Sequence, residues 1–277
     1  MNKEFKLLAK PYIAWLFILA ILPIFVMIGL SFMFSEGLSF EGSYFTFDQF
    51  SLLGEDSTLT AFGNSLMYAS LTAAISLVLG YFVAYNVYKS NFKNKFMILT
   101  IFILPMWSNL LLRSEALANL LDENNIINDL LSRVGLGMEI GLRGTPAAVI
   151  IGLVLTYLPF MILPIYTALE KIDYSLEEAA LDLGLTKMQK FWKVIFPLSL
   201  KGVATGTILV FLPSMSGFAI PEILGSGNIL LIGNIIEQSF RNMDYNLGSL
   251  LSIFILIFIL GSLYVVSKVD KEGETLL

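Results

Sequence analysis

Cysteine and histidine are both missing from the 277 residues. Without thiols there are no disulfides and no thiolate metal sites. Without imidazole there is no serine–histidine triad, no His-ligated zinc and no usual general base near neutral pH. An all-carboxylate site for a hard cation stays open. Charge is scarce as well, with Asp, Glu, Lys and Arg at 14% against about 25% in an ordinary soluble domain. No Gly-x-x-x-x-Gly-Lys-Ser/Thr segment occurs, so the chain lacks that phosphate-cradling loop. Neither a catalytic residue nor a metal ligand is expected.

What fills the chain instead is apolar surface, 56% of all residues, gathered in long runs and not in amphipathic periods. The solvent for most of such a chain is lipid. Six runs stand out, at about 11–34, 61–88, 96–113, 144–168, 198–220 and 246–267. Each is near or above the ~20 residues that a helix needs to cross about 30 Å of hydrocarbon. The expected architecture is all-α and membrane-embedded, one six-span domain over residues 1–277. The first run, preceded by Lys3, Lys6 and Lys10, is too long for a signal-peptide core and reads as a retained signal anchor.

The lysines orient the spans. All thirteen fall at the N-terminus, between spans two and three, around the connection between spans four and five, or after span six. The other side carries only Arg113, Arg133, Arg143 and Arg241, among thirteen acidic residues. The positive-inside rule then predicts a multi-pass protein with both termini in the cytoplasm. Outside lie an acidic, aromatic-rich loop at 35–60 and two stretches, 114–143 and 221–245, with apolar residues at helical spacing. These read as helices on the membrane surface or as part of a docking face for an external protein.

The cytoplasmic connection 170–197 is long and patterned. Ser175-Leu-Glu-Glu178 reads as a capping box, Gly184 as a helix stop, and Thr186-Lys-Met-Gln189 as a second capping box opening a helix that ends near Pro197. Ala179 and Ala180 allow close approach of another surface. Glu177, Glu178 and Asp182 on one element and Lys187, Lys190 and Lys193 on the other make a mixed-charge knob, suited to a partner's groove or simply solvated.

Glu178-Ala179-Ala180, three residues, Gly184, nine residues, then Val194-Ile-Phe196-Pro197 resembles the EAA loop of bacterial ABC importer permeases. Val and Phe replace the family's Ile and Leu, both apolar exchanges. The resemblance implies a six-helix permease bundle whose coupling helix, here with Glu178, Ala179, Ala180 and Gly184, sits in a groove of a cytoplasmic ATPase. It implies a transport subunit and not an enzyme. ATP and magnesium would be bound by the ATPase partner and no cofactor by this chain. The implied partners are a homologous second permease, two ATPase subunits, an extracytoplasmic binding protein and the bilayer, with no nucleic acid.

Other segments resemble the permeases of spermidine/putrescine importers: Leu104-Pro105-Met-Trp107-Ser-Asn109, Thr145-Pro146-Ala-Ala with Tyr157-Leu-Pro159, and Phe211-Leu-Pro213 with Leu-Leu-Ile-Gly-Asn234 downstream. This second resemblance implies that the extracytoplasmic partner is a polyamine-binding protein. Permeases for ferric iron, thiamine or another small cation share much of this framework and form the alternative. An autonomous channel or a membrane-embedded enzyme is the competing class. A polyamine needs carboxylates for its ammonium groups and aromatic faces for its charge. Ser214, Phe218 and Glu222 share a face if the helix is continuous there, although Pro221 threatens that register. Glu222 reads as a path-lining carboxylate or as one solvated at a helix end. Trp107, with Asn109 beside it, reads as path lining or as an interfacial anchor, and Tyr157, near Pro159 and Pro164, marks a bend in span four. Gly202-x-x-x-Gly206 permits close helix packing.

Overall fold

The computed structural model describes residues 3–34, 42–133 and 141–269. Most of them are helical, as backbone in hydrocarbon must be if its N–H and C=O groups are to be satisfied within one segment. The long helices are α1 (Lys3–Ser31), α2 (Asp56–Lys89), α6 (Pro146–Glu170), α9 (Phe196–Ser216) and α12 (Tyr245–Val269). Between them lie α3 (Lys95–Ile103), α4 (Leu110–Leu120), α5 (Ile126–Arg133), α7 (Tyr174–Asp182), α8 (Lys187–Lys190), α10 (Ala219–Leu224) and α11 (Ile232–Arg241). By length and composition five helices can cross a membrane, and six crossings result if α3 and α4 count as one bent span.

That bend departs from the continuous third span drawn at 96–113. The helix gives way to a 3-10 turn at Leu104–Trp107 and restarts at Leu110 with its axis turned by 93°. Pro105 accounts for the end, since it donates no N–H and its ring crowds the preceding turn. Asn109 accounts for the restart: its side chain accepts from the N–H groups of Leu111 and Leu112. A residue read as path lining is thus a helix cap. The stretch 114–143 contains the end of α4 and all of α5; Val134, on its apolar pattern, lies outside the described residues.

The chain divides into two compact units, Met1–Ala61 with Ile235–Gly261 and Phe62–Asn234 with Ser262–Leu277. In the first, α1 leads into a two-residue hairpin, Met33–Phe34 against Tyr44–Phe45, and Phe32 packs on Phe45, Phe47 and Phe50. Between residues 10 and 30 no side chain of α1 is buried.

The second unit is built on α6 and α9. Their close approach needs glycine. A Cβ on Gly202 would lie 2.5 Å from the carbonyl oxygen of Pro164, and one on Gly206 would lie 2.8 Å from the sulfur of Met161. The Gly202-x-x-x-Gly206 stripe therefore does what its spacing suggests, and α6 is the surface it meets. From α2, the Tyr81 hydroxyl shares a 2.8 Å hydrogen bond with Ser199, and Met161, Ile162, Ile165, Leu169, Ile195 and Val210 fill the core around it. A second apolar cluster, with Val149, Leu153, Ile220, Leu224 and Leu231, seats α10.

Candidate functional site

Two constructions occupy the ends of α9. At its N-terminal end is the loop 171–195. Helix α7 starts two residues earlier than the predicted capping box: Asp173 is the cap and accepts from the Ser175 N–H at 2.9 Å. Asp173 wins because it is also a good cap residue and stands two positions upstream. At the other end of α7, Gly184 takes φ +80°. Its N–H donates to Leu181 O at 2.9 Å, and the Leu185 N–H donates to Ala180 O at 3.1 Å, a Schellman stop. The Thr186–Gln189 capping box forms as read, with both of its hydrogen bonds present.

The expected end at Pro197 does not occur. The chain passes from α8 through a π turn, Phe191–Ile195, straight into α9, with Pro197 in its first turn. A π turn widens the helix where the proline ring would press on the carbonyl four residues back. An aromatic cluster holds the turn in place: Phe191 packs edge-on against Tyr81 and Tyr85, and Trp192 lies over Phe196.

Of the residues singled out in this loop, Glu178, Ala179 and Gly184 are exposed and Ala180 is buried. Around them Tyr174, Leu176, Leu181, Leu183 and Met188 are exposed too, Leu183 by 84%. Charged residues thus border exposed apolar side chains, a mixed surface that a partner's groove could cover. Glu177, read with Glu178 and Asp182 as part of a charged surface knob, is instead turned inward and only 1% exposed. Its carboxylate forms ion pairs with Lys89 and, at 2.8 Å, with Lys190, and accepts from the Tyr88 hydroxyl at 2.7 Å. Burial pushes this carboxyl up, but the hydrogen bonds from Lys190, Lys89 and Tyr88 outweigh it and hold the group down at about 2. A signal existed: Glu177 shares a helix face with Ala180, turned from the exposed Glu178.

At the C-terminal end of α9 the helix stops at Ser216 and resumes as α10 at Ala219. The break is at Gly217, which is extended, and not at Pro221. Ser214, Phe218 and Glu222 therefore do not share one continuous helix face. Ser214 is fully buried and donates back to Val210 O at 2.6 Å. Phe218 is 43% exposed, and Glu222 is exposed. Tyr157 reaches the break: its hydroxyl donates to Pro213 O at 3.4 Å, and it shares a cavity of about 90 Å³ with Phe218, Gly217, Leu110 and Pro221. Trp107 is 85% exposed and does not line that cavity.

Two residues downstream hold the break open. A Cβ on Gly233 would sit 2.5 Å from Ser216 O, so only glycine fits against the unwound carbonyls. Buried Asn234 donates 3.1 Å hydrogen bonds to Phe218 O and to the Glu222 carboxylate, and accepts from the Leu231 N–H. Next to it, the Ile232 N–H donates to Ser65 on α2 at 2.8 Å. The result is a broken helix end with carbonyl oxygens, a carboxylate and an aromatic ring together. Such an end carries partial negative charge and suits an ammonium group.

Residues 76–269 match the family described as binding-protein-dependent transport system inner membrane component. The chain is 34% identical over 272 residues to the spermidine/putrescine transport system permease protein PotB of Haemophilus influenzae, covering 98% of this chain and 95% of that one. It is 37% identical over 243 residues to the protein of the same name in Escherichia coli, covering 87% and 88%. Among solved structures, a bacterial ABC transporter that imports the acidic polysaccharide alginate superposes with a TM-score of 0.77 at 19% identity over 97% of each chain.

Proposed function

The chain belongs to the family of binding-protein-dependent transport system inner membrane components, and from that premise we propose that it is the permease subunit of an ATP-driven polyamine importer. The observation that carries the substrate is the 34% identity to a spermidine/putrescine permease over 98% of the chain. The broken helix end supports it chemically. The Glu222 carboxylate and the Phe218 ring suit a cationic amine, and the exposure of both suits release as well as capture.

The rest of the machine is inferred the same way. Loop 171–195 is the coupling element, presenting Glu178, Ala179 and Gly184 to a partner ATPase that binds ATP and magnesium, while Ala180 packs inward and seats the helix. A homologous second permease and an extracytoplasmic binding protein complete the importer. The lysine distribution supports placing both termini and this loop in the cytoplasm. Nucleotide-driven rocking of the two permeases then alternates access to the path.

Competition uptake tests the reading. The full importer is expressed in cells lacking their own polyamine import, and labelled spermidine uptake is followed with unlabelled putrescine, thiamine and ferric iron as competitors. ATP-dependent spermidine uptake that requires this subunit is the expected result. An assembled complex that carries iron or thiamine and no spermidine would overturn the substrate and leave the family intact.

A further inference from the structure

We propose that Glu177 is a positioning residue that locks the coupling helix to the ends of α2 and α8, so that the three move as one body when the ATPase acts. The inference rests on the coupling reading of the loop. Helix α7 is nine residues long and leaves α6 through the Asp173 cap and meets α8 through the Gly184 turn. Both joints are exposed backbone turns, and of the residues on α7 only Glu177 and Ala180 are buried. Two turns and one methyl group do not make a stiff lever. The carboxylate of Glu177 does, because three side chains from two other elements converge on it. Lys89 is the last residue of α2, Tyr88 precedes it, and Lys190 is the last residue of α8, directly before the π turn that opens into α9.

The choice of an ion cluster over apolar packing is informative. Apolar residues at a buried site often stabilise as well as an ion pair does. What they do not supply is direction. Lys190 and Lys89 bind Oε2 while Tyr88 binds Oε1, so both edges of the carboxylate are held and the helix is fixed against rolling as well as sliding. Glu178, the next residue, is thereby kept facing outward.

The test uses the assembled importer in proteoliposomes and counts spermidine imported per ATP hydrolysed. Glu177→Gln keeps the shape and loses the charge; Glu177→Met keeps apolar burial and loses direction. Both are expected to assemble and hydrolyse ATP, with spermidine per ATP down about tenfold, a typical size for coupling between sites. Glu177→Asp is expected to recover part of the ratio. Because the chain has no cysteine, spin labels on the pair Asn91→Cys and Asp182→Cys report the lock directly. Their distance distribution stays narrow and unchanged between nucleotide-free and ATP-bound states with Glu177, and broadens with Glu177→Met.

A wild-type ratio in the Met variant overturns the lock. So does loss of assembly in both the Gln and Met variants, which would make Glu177 a folding residue. The failures are separable: if Glu178→Lys and Gly184→Asp leave uptake normal, the coupling reading falls. If those two uncouple and Glu177→Met does not, only the lock falls.

Discussion

A carboxylate that meets two ammonium groups and a phenol in a buried site has its titration set by its neighbours. Burial alone would raise the pKa of Glu177; the hydrogen bonds from Lys190, Lys89 and Tyr88 win and depress it to about 2, with Tyr85 and Tyr174 also nearby. A folded-state pKa below the ordinary 4.5 means stabilisation that is complete above 4.5 and lost as pH falls toward 2. Unfolding of the purified complex should therefore show the full contribution of this group, with no pH dependence from it, between about pH 6 and 8, and a loss below about pH 4.5 that Glu177→Gln lacks. A Gln variant whose acid profile matches the wild type would remove the ion cluster from the account. Gly184 makes a different kind of demand. Its φ is +80° and nothing lies within 4 Å of where a Cβ would go, so the cost of a side chain there is conformational alone. Gly184→Ala should cost about 1 kcal/mol and Gly184→Asn less, since Asn tolerates the left-handed region better. Hydrogen exchange of the Leu185 amide, which bonds to Ala180 O across the turn, should speed up in that order.

The helix contact between α6 and α9 shows which elements can be read from spacing. Gly202-x-x-x-Gly206 is legible because two glycines four apart share a face, and that face does meet α6. The structure adds an asymmetry that spacing hides: Gly202 lies against backbone, Pro164 O at 2.5 Å, whereas the atom nearest Gly206 is the flexible Met161 sulfur at 2.8 Å. Backbone yields less readily than a thioether. Gly202→Ala should therefore destabilise the bundle by about 1–3 kcal/mol and Gly206→Ala by less, measured as the shift in thermal unfolding of the complex. The reverse order would mean that α6 and α9 do not pack in this register. Other elements were not legible, and the reason is physical. The capping box at Thr186 and the stop at Gly184 are local, and both could be read. At the other end of α9 the local signals were Gly217 and Pro221, and the contacts of Gly233 and Asn234 with the break, about sixteen residues away in sequence, are not recorded in that local pattern. The π turn before Pro197 likewise depends on Tyr81 and Tyr85 of α2. Glu177 was obscured for the same reason, since its partners at Lys89 and Tyr88 lie nearly ninety residues upstream.

Across the whole molecule, α9 joins the two constructions. Its 21 residues span about 30 Å at 1.5 Å per residue, which is the thickness of the hydrocarbon layer. One end continues through the π turn into the loop that Glu177 ties to α2. The other end is the unwound segment at Gly217, held by Asn234 and touched by Tyr157 from α6. On the proposed coupling reading, a helix this well packed against α6 would carry a shift of the loop toward the broken end near Glu222. Damage at the two ends should then look different in the same assay. Gly184→Asp strains the turn of the loop, and its complex should continue to hydrolyse ATP while spermidine uptake falls about tenfold or more. If Glu222 lines the proposed path, Glu222→Gln removes a charge from it without touching the loop, so uptake and spermidine-stimulated hydrolysis should fall together, with spermidine per ATP close to wild type. If Glu222→Gln instead uncouples hydrolysis from uptake, the break belongs to the lever and not to the path. If it leaves both rates unchanged, the ammonium group is received elsewhere, and the hydrogen bond from Asn234 to Glu222 serves only to hold the helix end.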